Sequence, residues 1–282
     1  MSGAGSRLAP SGVAPRAALA LVALLVIVAV AAPVLAPADP AAQPDLVHQK
    51  NLPPSGEHFF GTDSYSRDVL SRVMYGARTS LAVAGLAVLV ALAIGTTVGA
   101  TAGYVGGAAD RWLMRSVDAL LSIPRLLVVL VIAAAFGQLS VVGLVLVLGL
   151  TGWPGMSRLV RAQVRETAAL DHVVAARALG VTPARILVRH VMPAVVPQVL
   201  VVATLAVASV IPLEAGLSFL GLGVPAPAPS WGNIILEGYD ARMQAWWLLV
   251  FPGAAIVLTV LSVNVLGEHL RERLDPRLRP PL

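Results

Sequence analysis

Long apolar runs separated by short basic segments set the pattern of this chain. A bilayer core takes about 20 mostly apolar residues in helical form, and runs of that kind lie at 17–36, 81–104, 119–136, 139–156, 194–213 and 246–266. The pattern predicts an all-α polytopic membrane protein with about six transmembrane helices. The third run is the least regular, because Pro124 and Arg125 interrupt it and leave only 126–136 unbroken, too short to cross alone. Its first turns are read as interfacial, with Arg125 snorkelling toward water. Two segments between runs, 37–80 and 216–245, are expected outside; the first is rich in Pro, Gly and polar residues, the second carries Pro225, Pro227 and Pro229. Within the first, Val69, Leu70, Val73 and Met74 recur at helical spacing among charges, which predicts a short amphipathic surface helix over 67–77.

Composition sharpens this picture. Of 282 residues, 57% are hydrophobic and only 12% charged, about half the charged share of a soluble domain. Cysteine is absent, which removes disulfides, thiolate nucleophiles, iron–sulfur clusters and Cys-ligated zinc together. The net charge of +5 comes from 19 Arg and Lys50 and suits an anionic membrane surface as well as nucleic acid. Position decides for membrane lipid and against nucleic acid. With the N-terminus inside, 15 of the 20 cations fall on the inner side, from Arg7 and Arg16 to Arg277 and Arg279; five (Lys50, Arg67, Arg72, Arg78 and Arg242) fall outside. Because Lys and Arg concentrate in short cytoplasmic loops, both termini are expected in the cytoplasm. A cleaved signal peptide is the alternative reading of the first run, and it leaves every later direction unchanged.

The segment 158–193 is long for a connection, basic, and full of Ala, Leu and Val, so it should fold. One helix is expected over 163–179, ending at Gly180, where a left-handed cap suits glycine. Thr182 and Pro183 then start a second short helix, the hydroxyl capping and the proline occupying the first turn. Leu170, Val173, Val174 and Arg177 fall on one stripe, with Ala175, Ala176 and Ala178 leaving the backbone approachable. Docking into another protein's groove and resting on the membrane or the bundle are both open on this pattern.

The run VVAARALG at 173–180, with Met192-Pro193 thirteen residues past the glycine, resembles the EAA loop of ABC importer permeases. Val174 stands where that family usually has glutamate, and Met192 where it has leucine. HFFGTDSYSRDVLSR (58–72), GARTSL (76–81), AGYVGGAADRWLMRSVDALLSIP (102–124), EAGLSFLGLG (214–223), PSWGN (229–233) and LRERLDPRLR (270–279) resemble more specifically the C-type permease of dipeptide and oligopeptide importers. The resemblance implies an ABC permease fold of the type I importer kind. It implies a division into a tail, first span and loop start (1–60), a permease domain (77–268) and a basic tail (269–282). It also implies an ATPase-coupling role for Asp171, Val174, Ala175, Ala176, Gly180, Pro183 and Pro193. The implied partners are a second homologous permease, two ABC ATPase subunits that carry the ATP and Mg, and an extracytoplasmic solute-binding protein. Relatives of this kind carry dipeptides, longer peptides, nickel complexes or other small solutes.

This chain has no P-loop. Its one lysine, Lys50, follows no glycine loop, whereas the motif needs lysine directly after its last glycine to reach the phosphates. No cofactor is therefore expected here and no catalytic activity. H-E-x-x-H and G-x-S-x-G are absent, and no histidine accompanies Ser209 or Ser262 in a span. Polar residues in or beside spans are costly and mark the bundle interior or a path through it. Glu214, Asp118 and Asn264 are the candidate pathway or gate residues, and for Asp118 an ion pair with Arg115 or Arg125 is favoured over a substrate contact. Glu214 is read either as a gate or binding-protein contact or as a solvated interfacial group, with 217–223 after it a candidate re-entrant stretch. Asn264 is expected to bond a neighbouring helix, and Trp231, Trp246 and Trp247 to anchor at the outer interface. An ion-coupled secondary transporter is the alternative of another class; it should display a mid-membrane ionisable site or broken-helix repeat.

Overall fold

The computed structural model describes residues 13–241 and 244–274, and among these the regular elements are helices, with one antiparallel bridge between Thr62 and Asp68. In order they are α1 (Val13–Leu35), α2 (Val69–Val105), α3 (Gly107–Leu121), α4 (Arg125–Phe136), α5 (Val141–Ala168), α6 (Asp171–Ala178), α7 (Pro183–Ile186), α8 (Met192–Phe219), α9 (Trp231–Asp240) and α10 (Trp247–Leu274). A π-helical turn, Leu187–Val191, joins α7 to α8, so Pro183–Phe219 is one continuous helix of 37 residues.

All six apolar runs have a helical counterpart. Five helices are long and apolar enough to cross a membrane, and α3 with α4 makes a sixth, bent by 76°. Pro124 accounts for the bend, since the residue before a proline is driven out of the α region and its ring cannot continue the preceding turn. The helices outrun the apolar segments. α2 begins at Val69, where the Asp68 carboxylate accepts from the Ser71 N–H at 2.8 Å, so the surface helix expected over 67–77 is the first turns of α2.

α2 and α5 pack parallel along their length, brought side by side by the return through α3 and α4, and α2 carries a glycine on every fourth position where they touch. A Cβ at Gly95 would lie 2.7 Å from Met156 Cβ, at Gly99 2.4 Å from the Ser157 carbonyl, and at Gly103 2.8 Å from the Arg161 carbonyl. Without aqueous hydrophobic drive between helices, such close backbone approach supplies much of the packing energy. Gly99→Val is expected to destabilise the fold by about 1–3 kcal/mol, read as a lower thermal midpoint in detergent. Gly85→Val on the same helix, facing open space, should leave the midpoint unchanged.

At one end of the bundle, residues 37–68 fold down over α2, α9 and α10. Asp63 and Glu237 share Arg67 and Arg72 between them: Arg67 donates to both carboxylates at 2.7 Å, and Arg72 makes a second bond to Glu237 at 2.9 Å. Arg72 and Asp63 are almost wholly buried. Trp247 Nε1 donates to the Thr62 carbonyl at 2.9 Å, and Phe60 stacks on Phe251 at 3.8 Å. Trp231 and Trp247 are buried, whereas Trp246 is half exposed. The first two are pegs in the core rather than interfacial anchors, because each indole N–H finds a backbone carbonyl inside the fold. The stretch 217–223 is not re-entrant: α8 runs to Phe219 and the chain turns at Gly221, where φ is +74°.

Candidate coupling hairpin and buried polar groups

The opposite end of the bundle carries the 158–193 hairpin, and its helices divide differently from the expected 163–179 and 183 onward. Residues 163–168 belong to α5, which passes straight through, and the chain breaks at Ala169 and Leu170 before α6 begins. α6 ends in a Schellman motif: Val181 N–H donates to the Ala176 carbonyl at 3.2 Å and Gly180 N–H to the Arg177 carbonyl at 3.1 Å. Gly180 holds the left-handed position at φ +76° with nothing near its missing side chain. Pro183 is the first helical residue after Thr182, but the Thr182 hydroxyl makes no capping bond. The second helix is not short, for it continues as α8. Pro193 sits inside that helix, and the loss of its N–H donor accompanies the widened π turn before it, where Met192 N–H reaches back to the Leu187 carbonyl.

The two faces of α6 have separate uses. Val173 and Ala176 turn inward onto Val160, Val164, Ile186 and Val191, so the expected stripe splits and Val173 is not available for docking. Asp171, Val174, Ala175 and Ala178 lie on the exposed face, flanked by Leu170 and by Leu179, which is 85% exposed. This i, i+3, i+4, i+7 set is a helix face that no other described residue covers. Arg177 lies over the Tyr104 ring at 6.0 Å, which ties the hairpin to the end of α2. Asp110 on α3 receives Arg161 through both carboxylate oxygens, the second at 2.6 Å, with Arg165 at 3.6 Å. No sequence signal isolates that pair, because 51 residues separate its members.

The remaining polar candidates do not come together. Asp118 is exposed and ion-paired with Arg158 of α5, not with Arg115 or Arg125, since Arg115 instead lies over Trp112 at 5.6 Å. Glu214 is fully buried: Ser80 donates to one carboxylate oxygen at 2.9 Å and Ser218 to the other at 2.8 Å. The Trp231 N–H, at the start of α9, donates to Ser80 Oγ at 3.3 Å. The solvated reading of Glu214 and its direct contact with a second protein both fall, because α9 is packed over it; a Cβ on Gly232 would meet the Ala215 carbonyl at 2.5 Å. Asn264 is exposed on α10 and has no hydrogen-bond partner among the described residues, so the expected bond to a neighbouring helix is not made within this chain. Arg125 does not snorkel. Its Nη2 donates to the Leu148 carbonyl at 2.8 Å, and its Nε lies 3.5 Å from Thr151 Oγ1, both on α5. The break at Pro124 starts α4 deep enough for this contact. Arg7, Arg242, Arg277 and Arg279 lie outside the described residues, as does the end of the 269–282 tail.

The described residues thus form a helical bundle with five or six candidate membrane spans and an exposed helix face at one end. Residues 95–280 match the model of the binding-protein-dependent transport system inner membrane component. The chain is 39% identical over 264 residues to the dipeptide transport system permease protein DppC of Bacillus subtilis, covering 93% of this chain and 82% of that one. Two Brucella suis chains provisionally named peptide permeases are 43% identical over 229 residues (80% of this chain, 76% of the relative) and 40% over 265 residues (94% and 88%). This chain belongs to the binding-protein-dependent transport system inner membrane component family, and is a multi-pass membrane permease.

Proposed function

We propose that this protein is one of two homologous membrane subunits of an ATP-driven importer of di- and oligopeptides, and that the 158–193 hairpin is where separate ATPase subunits grip it. The exposed face of α6 carries this reading: Asp171, Val174 and Ala175, flanked by Leu170 and Leu179, are left uncovered in a chain with no P-loop of its own. Family membership and the names of the relatives support the solute class. In this scheme the two ATPase subunits supply the ATP and Mg, and an extracytoplasmic binding protein delivers the peptide to the opposite end, covered by residues 37–68.

The same scheme sets the hairpin end in the cytoplasm. The sequence balance of cations favours it, and two of the cations at the other end, Arg67 and Arg72, are neutralised by Asp63 and Glu237. Drawing the hairpins of two permeases together on nucleotide binding favours one arrangement of the spans over the other, and the free energy comes from the ATPase contact made in that arrangement alone. The helix running from Pro183 to Phe219 transmits the movement.

The test is ATP-dependent uptake of a labelled dipeptide into vesicles containing the permease with its partner subunits. Uptake should require hydrolysable ATP and survive an uncoupler, and the reverse result overturns the proposal in favour of an ion-coupled carrier. Because the chain has no cysteine, single replacements report sidedness directly. Leu179→Cys should react with an impermeant maleimide only from the cytoplasmic side, and Glu57→Cys only from outside.

A further inference from the structure

The guanidinium of Arg125 is turned against α5, and among the described residues no carboxylate stands within ion-pair reach of it. Gly152 fixes its depth: a Cβ there would stand 3.0 Å from Arg125 Nη2 and 3.3 Å from Ala91 Cβ. Ala91 is close to the midpoint of 81–104, a stretch of α2 with no charged residue. On α5 itself Gly152 lies four residues, about 6 Å, inside the end of the 139–156 run, so the guanidinium sits within the apolar stretches of both helices. Glycine at 152 is what makes room for it.

Among the described residues no carboxylate lies within ion-pair distance of Arg125, and its two acceptors are the neutral Leu148 carbonyl and Thr151 hydroxyl. The Thr151 hydroxyl spends its own proton on the Val147 carbonyl. The Nη1 pair and one Nη2 proton are left over from a group that carries five N–H donors. The side chain also lines a cavity of about 340 Å³ between the Pro124 break and α5, bounded by Leu121, Val128, Gly155 and Pro154. Ionisable groups at this depth face a bundle interior or a wet path rather than lipid.

We propose that this cavity opens on the translocation path and that Arg125 receives the carboxylate of a solute in transit. This rests on the peptide-importer reading and deepens it. Every unmodified linear peptide ends in a carboxylate whatever its side chains, and a guanidinium fork matches a carboxylate through two parallel N–H···O bonds. A peptide's α-amino group is repelled by the same charge, so the contact orders the passing molecule as well as holding it. Backbone and side-chain variety stays free, as a carrier of many peptides requires.

The test uses the assembled importer in vesicles, with wild-type, Arg125→Gln and Arg125→Lys permeases, and compares uptake of one dipeptide with that of its C-terminal amide. The binding protein is the same throughout, so any preference it holds cancels in the ratio of variant to wild type. Arg125→Gln is expected to lower the acid-to-amide uptake ratio about ten-fold, with basal ATP hydrolysis and the yield of assembled complex unchanged. Arg125→Lys keeps the charge but loses the fork and should lower the ratio about three-fold; it carries the test if the glutamine variant does not assemble. A ratio that stays at the wild-type value in the variants, whether both rates fall together or neither falls, overturns the inference and leaves the peptide-importer reading standing. A wild-type complex that hydrolyses ATP yet moves neither solute overturns that reading, and this inference with it.

Discussion

Val174→Asp combined with Leu179→Asp should abolish ATP-coupled uptake, by ten-fold or more, while the protein reaches the membrane at its normal level. Both side chains are exposed apolar groups on or beside the outward face of α6, so the change removes nothing from the core. It places two carboxylates where an apolar contact with the ATPase is proposed, and interface anchors of this kind commonly cost 2 kcal/mol or more each when lost. Ala175→Asp, on the same face, should act in the same direction. Ala176→Asp is a different experiment, since Ala176 is buried against α5 and Ile186; it is expected to unfold the hairpin rather than undock it. Gly180→Val stands between the two. There is space for the side chain, but the left-handed backbone costs a non-glycine residue about 1–2 kcal/mol, more for a β-branched one, and shifts the angle at which α6 leaves α7. Measurement of co-purified ATPase beside uptake separates these cases. Normal recruitment and uptake in the Val174/Leu179 variant would remove the hairpin from the coupling role.

Arg72→Met should destabilise the fold by about 3–5 kcal/mol, the usual result of breaking a buried ionic group by removing one partner. Asp63 is fully buried and Glu237 largely so, and Arg67 alone would be left to satisfy both. The expected readout is a lower thermal midpoint, together with protease cleavage within 37–68, because this cluster is what fastens that segment to α9. Arg158→Ala provides the contrast. Its ion pair with Asp118 is more than half exposed on both sides, and pairs of that kind contribute about 0–1 kcal/mol. Equal effects from the two substitutions would show that the loop is held by its aromatic contacts with Phe251 and Trp247 instead.

The spans were legible because lipid imposes a strong constraint: an apolar run of sufficient length has few other uses. Pro124, Gly180 and Pro183 were legible for a related reason, each being a residue whose backbone chemistry narrows the local conformation. What could not be read was partnership. Arg67 and Glu237 are 170 residues apart and Asp110 and Arg161 are 51 apart, and nothing local to either member distinguishes a buried pair from two hydrated charges. The burial of Glu214 is hidden on the same ground, since it depends on α9 folding back over it from beyond Pro227. The contact of Arg125 with α5 is hidden because the placement of α4 follows from the 76° bend at Pro124, which periodicity does not encode. The hairpin stripe was half right: a continuous helix from 163 would have put Val173 outward, and the break at Ala169 rotates it in.

The helix from Pro183 to Phe219 extends for about 55 Å at 1.5 Å per residue, well beyond the roughly 30 Å of hydrocarbon. Its far third is bolted to the bundle through Glu214, Ser80 and Ser218, and its near end leaves the hairpin after a four-residue elbow, Leu179 to Thr182. In the proposed scheme such a part serves as a crank arm, with torque applied at the elbow arriving at the bolt with little slack. The π turn just ahead of Pro193 is a soft joint near the elbow, with Pro197 and Pro212 further along, so stiffening that turn should alter the stroke of the machine without touching either its handle or its load.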